Sequence, residues 1–403
     1  PSANTGQRIV LTGQNFTGST LVQFQGVDDS GKLGTLTRSG SVGNNGTTLT
    51  VEVPALARSG KVSVLGSNAS FDLQIVPSLR ALGGTAAAGN TLILKPAPDT
   101  PWAAAVLGEL ITEYTDFPAG TINIVTSRDH GVGALLSKHD DVDMVSFTGS
   151  TVTGRAVMTD AAAGIKKVFL ELGGKSAFLV LDDADVAAAC AMAAFTASMH
   201  AGQGCAITTR LVVPRARYDE AVAAAAGTMG GIKPGDPSSP RTVCGPVISA
   251  RQRDRVQSYL DLAIEEGGTF ACGGGRPADR DTGFFIEPTV IAGLDNSARV
   301  AREEIFGPVL TVIAHDGDDD AVRIANDSPY GLSGTVFSAD PQRAAGVAAR
   351  LRVGTVNVNG GVWYAADAPF GGYKQSGNGR DKSLHAFDKY TELKTTWLRI
   401  DAA

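Results

Sequence analysis

Two hydrophobic periods divide this chain. Up to about residue 77, apolar and polar residues largely alternate, in Arg8-Ile9-Val10-Leu11-Thr12, Thr20-Leu21-Val22-Gln23-Phe24, Thr48-Leu49-Thr50-Val51-Glu52-Val53 and Lys61-Val62-Ser63-Val64-Leu65. A period of two marks half-buried strands. Turn clusters such as Gly13-Gln14-Asn15 and Gly43-Asn44-Asn45-Gly46 separate the runs. Short, regularly spaced strands with Gly/Asn turns predict a small all-β sandwich.

From Gly89 the pattern is α/β. Thr91-Leu92-Ile93-Leu94, Thr121-Ile122-Asn123-Ile124-Val125, Asp143-Met144-Val145-Ser146-Phe147 and Lys167-Val168-Phe169-Leu170-Glu171 read as strands. Between them, Trp102 to Tyr114 has helical spacing (Ala105, Leu107, Leu110, Ile111), and Val132 to Leu136 reads as a helix piece. Strands alternating with helices predict a parallel, doubly wound sheet. A second α/β region follows from about Lys175, with Val256, Tyr259, Leu260, Ala263 and Ile264 as one helical face. The terminal Thr391 to Ile400 alternates in part and is expected to form an added edge strand.

At 403 residues the chain is expected to hold two or three domains. The net charge of −6 argues against nucleic-acid binding. The acidic run Asp316-Gly317-Asp318-Asp319-Asp320 is expected to be a solvated helix start, since no second acidic cluster has ligand spacing; no metal site is expected. Four cysteines without CxxC spacing fit a reducing compartment rather than a disulfide framework. No apolar run of membrane length occurs, and no basic-then-apolar leader stands at the start. A cytoplasmic location and no membrane partner are the expectation.

The candidate chemistry sits in a few strings. Cys205 lies in Ala201-Gly202-Gln203-Gly204-Cys205-Ala206, where the glycines allow a small ligand to approach the backbone closely. A lone cysteine is more often inert packing, but a thiolate in such a loop is a nucleophile. Glu171 ends an apolar strand in Leu170-Glu171-Leu172-Gly173-Gly174-Lys175-Ser176. Such an acid can stabilise a helix entry through the dipole, or activate water. Phe147-Thr148-Gly149-Ser150-Thr151-Val152-Thr153-Gly154 runs from a strand into a helix, whose first N–H groups suit a phosphate. Two further strings are Glu303-Glu304-Ile305-Phe306-Gly307-Pro308-Val309 and Ala368-Pro369-Phe370-Gly371-Gly372-Tyr373-Lys374-Gln375-Ser376-Gly377.

Together these strings resemble the NAD(P)-dependent aldehyde dehydrogenases, over about residues 77–403. The resemblance implies a Rossmann-type coenzyme domain, N-terminally incomplete here, and an α/β catalytic domain. It assigns Cys205 as nucleophile, attacking the aldehyde to give a thiohemiacetal and then a thioester. Glu171 becomes the general base for hydrolysis, its pKa raised toward neutrality. Gly149, Ser150 and Gly154 match the family's pyrophosphate turn, and Lys95, in Leu94-Lys95-Pro96-Ala97-Pro98, the lysine on the adenine ribose. The carbonyl of Leu172 is expected near the nicotinamide, Glu304 on its ribose and Phe306 beside the ring. NAD is the implied cofactor, with NADP open because Pro98 stands where many NAD-preferring relatives carry Glu. The implied substrate is a small-molecule aldehyde; Trp363 and Tyr364 are candidates for its tunnel.

Residues 1–77 resemble instead the immunoglobulin-like modules of bacterial surface proteins, through Gly13-Gln14-Asn15-Phe16-Thr17-Gly18 and Val53-Pro54-Ala55. The expected division is therefore a β-sandwich at 1–77, a partial coenzyme domain at 78–174 and a catalytic domain at 175–374. Residues 375–403 would return to the coenzyme domain and supply an oligomerisation strand, in an assembly weakened by the missing part. In the family a Pro-Trp-Asn turn supplies one of two oxyanion donors; counting back from Gly89 it should fall near Ser70-Phe71-Asp72, and no such turn stands there. An ionised Asp72 only accepts hydrogen bonds. The chain thus reads as a chimera with an impaired site. A catalytically silent fusion whose β-module binds a partner is the alternative. A coenzyme-A-acylating relative is a third reading, against which Glu171 speaks.

Overall fold

The computed structural model describes residues 2–4, 8–12, 14–27, 33–54, 57–65, 70–76, 88–360, 365 and 367–397. They fall into two compact units, Pro1–Arg128 and Asp129–Ala403.

The first unit opens with eight strands: β1 (Ser2–Asn4), β2 (Arg8–Thr12), β3 (Leu21–Val27), β4 (Leu33–Ser39), β5 (Ser41–Gly43), β6 (Thr48–Glu52), β7 (Ala57–Val64) and β8 (Ser70–Val76). They form a five-stranded sheet, β1-β8-β7-β3-β4, and a three-stranded sheet, β2-β6-β5. Val22 and Phe24 of β3 and Val62 of β7 share one buried cluster with Leu49 and Val51 of β6, so the two sheets face each other across a common core. This is the sandwich that the alternating pattern predicts. The unit also holds β9 (Leu92–Leu94), the helix Trp102–Tyr114 and β10 (Ile122–Ile124), a βαβ element with its strands parallel.

In the second unit, β11 (Met144–Thr148), the helix Thr151–Ala162 and β12 (Lys167–Glu171) form another parallel βαβ element. The sequence predicts one continuous sheet from β9 to β12. The described ladders are β10-β9 in the first unit and β11-β12-β22 in the second, where β22 (Gly377–Asn378) returns antiparallel along β12. That return fills the free edge of β12 with chain from more than two hundred residues away, which strand periodicity does not encode.

The larger sheet runs β15-β16-β17-β14-β13-β19-β20, from β13 (Ser176–Val180), β14 (Thr208–Pro214), β15 (Thr269–Cys272), β16 (Thr289–Ala292), β17 (Val309–His315), β19 (Ser333–Phe337) and β20 (Thr355–Val358). All its pairs are parallel except β15 with β16. Ala189, Ala193, Ala221 and Ala225, from helices Val186–Ser198 and Tyr218–Gly231, pack one face. Ala321, Ile324, Ala344 and Val347, from helices Asp318–Asn326 and Pro341–Ala348, pack with the other cluster of sheet residues. The small β18 (Tyr330–Gly331) pairs with β21 (Tyr373–Lys374).

Three local expectations change. In the helix Ala250–Glu265, Val256, Tyr259, Leu260 and Ala263 are buried, but Ile264 is 52% exposed, because its position turns past the edge of the apolar stripe. Thr391 to Trp397 carries no strand pairing among the described residues, and Leu393 and Trp397 are fully exposed; a lone strand has nothing to satisfy its ladder. Residues 398–400 lie outside the described residues. The aspartates at 316–320 do begin a helix, and each faces an arginine: Asp316 with Arg215, Asp318 with Arg343, Asp319 with Arg350 and Asp320 with Arg323.

Candidate active site

The base strand is the frame of the site. Glu171 ends β12, in register with Thr148 of β11 and Gly377 of β22. Its backbone carbonyl accepts from the N–H of Gly149 at 3.1 Å, which ties the phosphate-type turn to the strand. Leu172 N–H donates to the Ser376 carbonyl at 3.0 Å. Gly377 is required here: its φ is +121°, and a Cβ would lie 2.0 Å from the Leu170 carbonyl oxygen.

The Glu171 side chain is buried at 5% exposure, and neither carboxylate oxygen has a well-formed hydrogen bond among the described residues. Burial, then the Asp381 charge, push its pKa up to about 7; Arg380, Lys389 and the Cys205 thiol act in the other direction. The thiol thus lies close enough to favour the carboxylate. A buried carboxyl group pushed near neutrality beside a thiol is the arrangement expected of a general base.

Cys205 is half-buried, in the loop between the short helical turn Met199–Gly202 and β14. Burial first, then the charges of Glu171 and Glu304, push the thiol up to about 11. Its surroundings thus favour the thiol over the thiolate. No cation stands among the groups that shift it, and two carboxylates do. The loop is set by backbone contacts. A Cβ on Gly174 would lie 2.7 Å from the Cys205 carbonyl oxygen, and Ser333 Oγ donates to the Ala206 carbonyl at 2.7 Å.

The Glu304 string closes the site. Gly174 N–H donates to Glu304 Oε1 at 3.0 Å, and a Cβ on Gly173 would lie 2.2 Å from Oε2. Burial raises the Glu304 pKa. Phe306 is half-buried and holds φ at +60°, with Gln252 Nε2 donating to the Ile305 and Phe306 carbonyls at 3.1 and 2.8 Å. Arg255 donates to the Glu304 carbonyl at 2.6 Å. Three consecutive left-handed residues, His200, Ala201 and Gly202, bring the nucleophile turn onto this loop. A Cβ on Gly202 would lie 2.0 Å from the Gly307 carbonyl oxygen. Replacing Gly202 by alanine should therefore cost about 2–4 kcal/mol of stability, read as a lowered urea midpoint at unchanged m-value. An unchanged midpoint would show that the two loops do not interlock.

The turn Thr148-Gly149-Ser150 is exposed and opens the helix Thr151–Ala162, with Ser150 Oγ accepting from Thr153 N–H at 3.2 Å. Gly154 is buried, and a Cβ there would meet Leu172 Cδ2 at 2.7 Å, so this glycine lets the helix close on the base strand. Glu171, Leu172, Cys205, Glu304, Phe306 and the Gly149–Gly154 turn thus belong to one connected framework. Lys95 lies in the first unit, its ammonium donating to the Pro96 carbonyl at 2.9 Å. Trp363 and Tyr364 lie outside the described residues. The sequence reading missed Gln252, Arg255 and Ser376, whose Oγ donates to the Gly173 carbonyl at 2.7 Å. It also missed Lys175, wholly buried with no partner for Nζ among the described residues, and pushed down to about 7 by burial and Arg210.

The comparisons decide the family. The model of the aldehyde dehydrogenase family matches residues 47–396. The chain belongs to the aldehyde dehydrogenase family. The match begins at residue 47 rather than about 77, so it takes in β6 to β8 of the sandwich, a stretch without any of the motif strings. Geranial dehydrogenase of Castellaniella defragrans is 42% identical over 345 residues, 85% of this chain and 71% of that protein. The 3-succinoylsemialdehyde-pyridine dehydrogenase of a Pseudomonas species is 43% identical, over 76% of this chain and 64% of its own length. An aldehyde dehydrogenase C variant of Pseudomonas syringae, solved with NAD+ and octanal, gives a TM-score of 0.75 at 43% identity, covering 77% of this chain and 64% of that one. A Mycobacterium tuberculosis aldehyde dehydrogenase solved with NAD+ gives 0.75 at 44% identity, with 79% and 66% covered. The chain thus spans about two thirds of the length of several of these relatives. Among its described residues no helix is long and apolar enough to cross a membrane.

Proposed function

We propose that this aldehyde dehydrogenase chain oxidises an aldehyde to a carboxylic acid through a thioester on Cys205, with NAD as the preferred cofactor and NADP open. The observation that carries the reading is the buried Glu171 carboxylate, without a well-formed hydrogen bond among the described residues and pushed up to about 7, beside the Cys205 thiol. The residues present fit a dinucleotide. Gly173 and Gly174 leave bare backbone against the half-buried Glu304 carboxylate, and the Gly149–Ser150 turn offers exposed backbone at a helix start. Gly149, Ser150, Leu172, Glu304 and Phe306 would hold the group, with Gly154 closing the turn. When bound, the cofactor supplies a hydride acceptor. Cys205 gives its proton up, attacks the aldehyde carbon and keeps the acyl group as a thioester. Glu171 then takes a proton from water, whose oxygen attacks the thioester and releases the acid and the Cys205 sulfur.

The pH dependence follows from these two groups. Glu171 works as a base only when ionised, so hydrolysis is weak below about 7 and rises as pH climbs through it. The thiol ionises higher, toward about 11, so acylation continues to rise above that point. Steady-state rates between pH 5 and 10 should show no falling limb from either group. A rate that drops as pH rises through neutrality would contradict both assignments.

We further infer that turnover is attenuated. Counting back from Gly89, no Pro-Trp-Asn turn stands near Ser70-Phe71-Asp72; on this reading the Cys205 N–H is the remaining oxyanion donor, and loss of one donor typically costs ~10²–10³ in turnover. The proposed divisions at 77, 174 and 374, the immunoglobulin-like character of the β-module and a weakened homo-oligomer belong to the same reading; the two facing sheets around one core support the second. Octanal and geranial with NAD and with NADP are the assay. Slow, NAD-dependent acid formation is expected. Rates typical of the relatives would remove the attenuation, and absent NAD binding by intrinsic fluorescence would favour the silent fusion.

A further inference from the structure

Strand β12 carries a second side chain on the face of Glu171. Residues two apart in a strand point the same way, so Phe169 and Glu171 share that face. The Lys389 ammonium sits 3.3 Å from the centroid of the Phe169 ring and 4.8 Å from that of Tyr390. Its side chain is 11% exposed and is ion-paired with Asp381. Asp381 is itself fixed by the backbone, its N–H donating to the Phe370 carbonyl at 2.6 Å and its carbonyl accepting from Phe370 N–H at 2.8 Å. The neighbouring Gly379 lies against the same Phe169 ring, where a Cβ would fall 2.1 Å from Cδ2. Arg380 donates to the Gly372 carbonyl at 3.1 Å and stacks over Tyr373 at 5.0 Å. One acid and two cations are thus held at the strand end that carries a carboxylate with no well-formed hydrogen bond.

We propose that Lys389 is a positioning residue acting through Glu171: its ammonium offsets Asp381, so that the buried carboxylate faces no uncompensated negative charge. The proposal rests on the reading of Glu171 as the base. The charged and titratable groups acting on Glu171 are Asp381, Arg380 and Lys389 from the C-terminal segment and Cys205 from the nucleophile loop. Asp381 opposes its ionisation and the other three favour it. A lysine that only anchored the loop would alter stability when replaced and leave the ionisation of Glu171 where it was.

Alkylation of Cys205 by iodoacetamide, followed on the full chain by peptide mass spectrometry across pH, reads that ionisation without cofactor or aldehyde. Ionised Glu171 raises the thiol, so the wild-type profile should carry an inflection that Glu171→Gln lacks. Lys389→Met keeps an apolar stem over Phe169 and should move the inflection up by about one pH unit. Asp381→Asn should move it down, and Lys389→Arg should leave it in place. An inflection unmoved in Lys389→Met and Asp381→Asn overturns the proposal, and so does a wild-type profile with no Glu171-dependent inflection. If Lys389→Met does not fold, Asp381→Asn decides alone by the sign of its shift. Failure to oxidise any aldehyde would strike the proposed activity and leave this profile readable.

Discussion

Replacing Cys205 by alanine should abolish aldehyde oxidation, with a loss on the order of 10⁴–10⁶ in turnover, while leaving the fold and dinucleotide binding in place. The expectation comes from how the loop is held. Its path is fixed by the left-handed turn at His200–Gly202 packed on Gly307, by Gly174 against the Cys205 carbonyl, and by Ser333 on the Ala206 carbonyl. None of these uses the sulfur. The half-buried side chain can lose one atom at a cost within about 0.5–1.5 kcal/mol. The other cysteines cannot take over: Cys190 and Cys244 are buried and pushed up to about 12, and burial raises Cys272 as well. Serine at position 205 should fail nearly as completely, since its hydroxyl ionises far less readily than a thiol. NADH formation, alongside a thermal melt and NAD titration, checks the prediction. An alanine variant keeping a tenth of wild-type turnover would remove Cys205 from the chemistry.

Glu171→Gln should show the second-largest effect, a fall of about 10²–10⁴ in steady-state rate, with a distinctive time course. Glutamine keeps the shape of the side chain but cannot accept a proton from water. Acylation of Cys205 does not need water activation, so the first turnover should still produce NADH, up to one equivalent per chain, before the reaction stalls. The same change removes a negative charge that raises the thiol. Above about pH 7, where Glu171 of the wild type is ionised, the burst should therefore become relatively faster than in the wild type. A slow steady state without any burst would instead make Glu171 the base that deprotonates the thiol.

Parts of this site were legible from the residues, and parts were not, for physical reasons. Glu171, Cys205, Glu304 and the Gly149 turn each sit in a string that resembles those of the aldehyde dehydrogenases, and that resemblance rather than spacing alone pointed to them. The alternation in the first 77 residues predicted strands because period two has one structural meaning. Ser376, Gln252, Arg255 and Lys389 were not legible, because each acts through contacts set by the return of distant chain. Ser376 reaches Gly173 across 203 positions. Lys175 stands inside the Glu171 string with no role of its own in the sequence reading, and its side chain is wholly buried. The upward push on the Cys205 thiol from burial and two carboxylates was not legible either, since it needs the neighbours' positions rather than their names.

The most direct test is to trap the acyl group. Glu171→Gln mixed with NAD and octanal, quenched in acid and digested, should yield the Cys205 peptide carrying one octanoyl group, with the Cys190, Cys244 and Cys272 peptides unmodified. Octanoate released at the wild-type rate, or an acyl group on any other residue, would contradict the account.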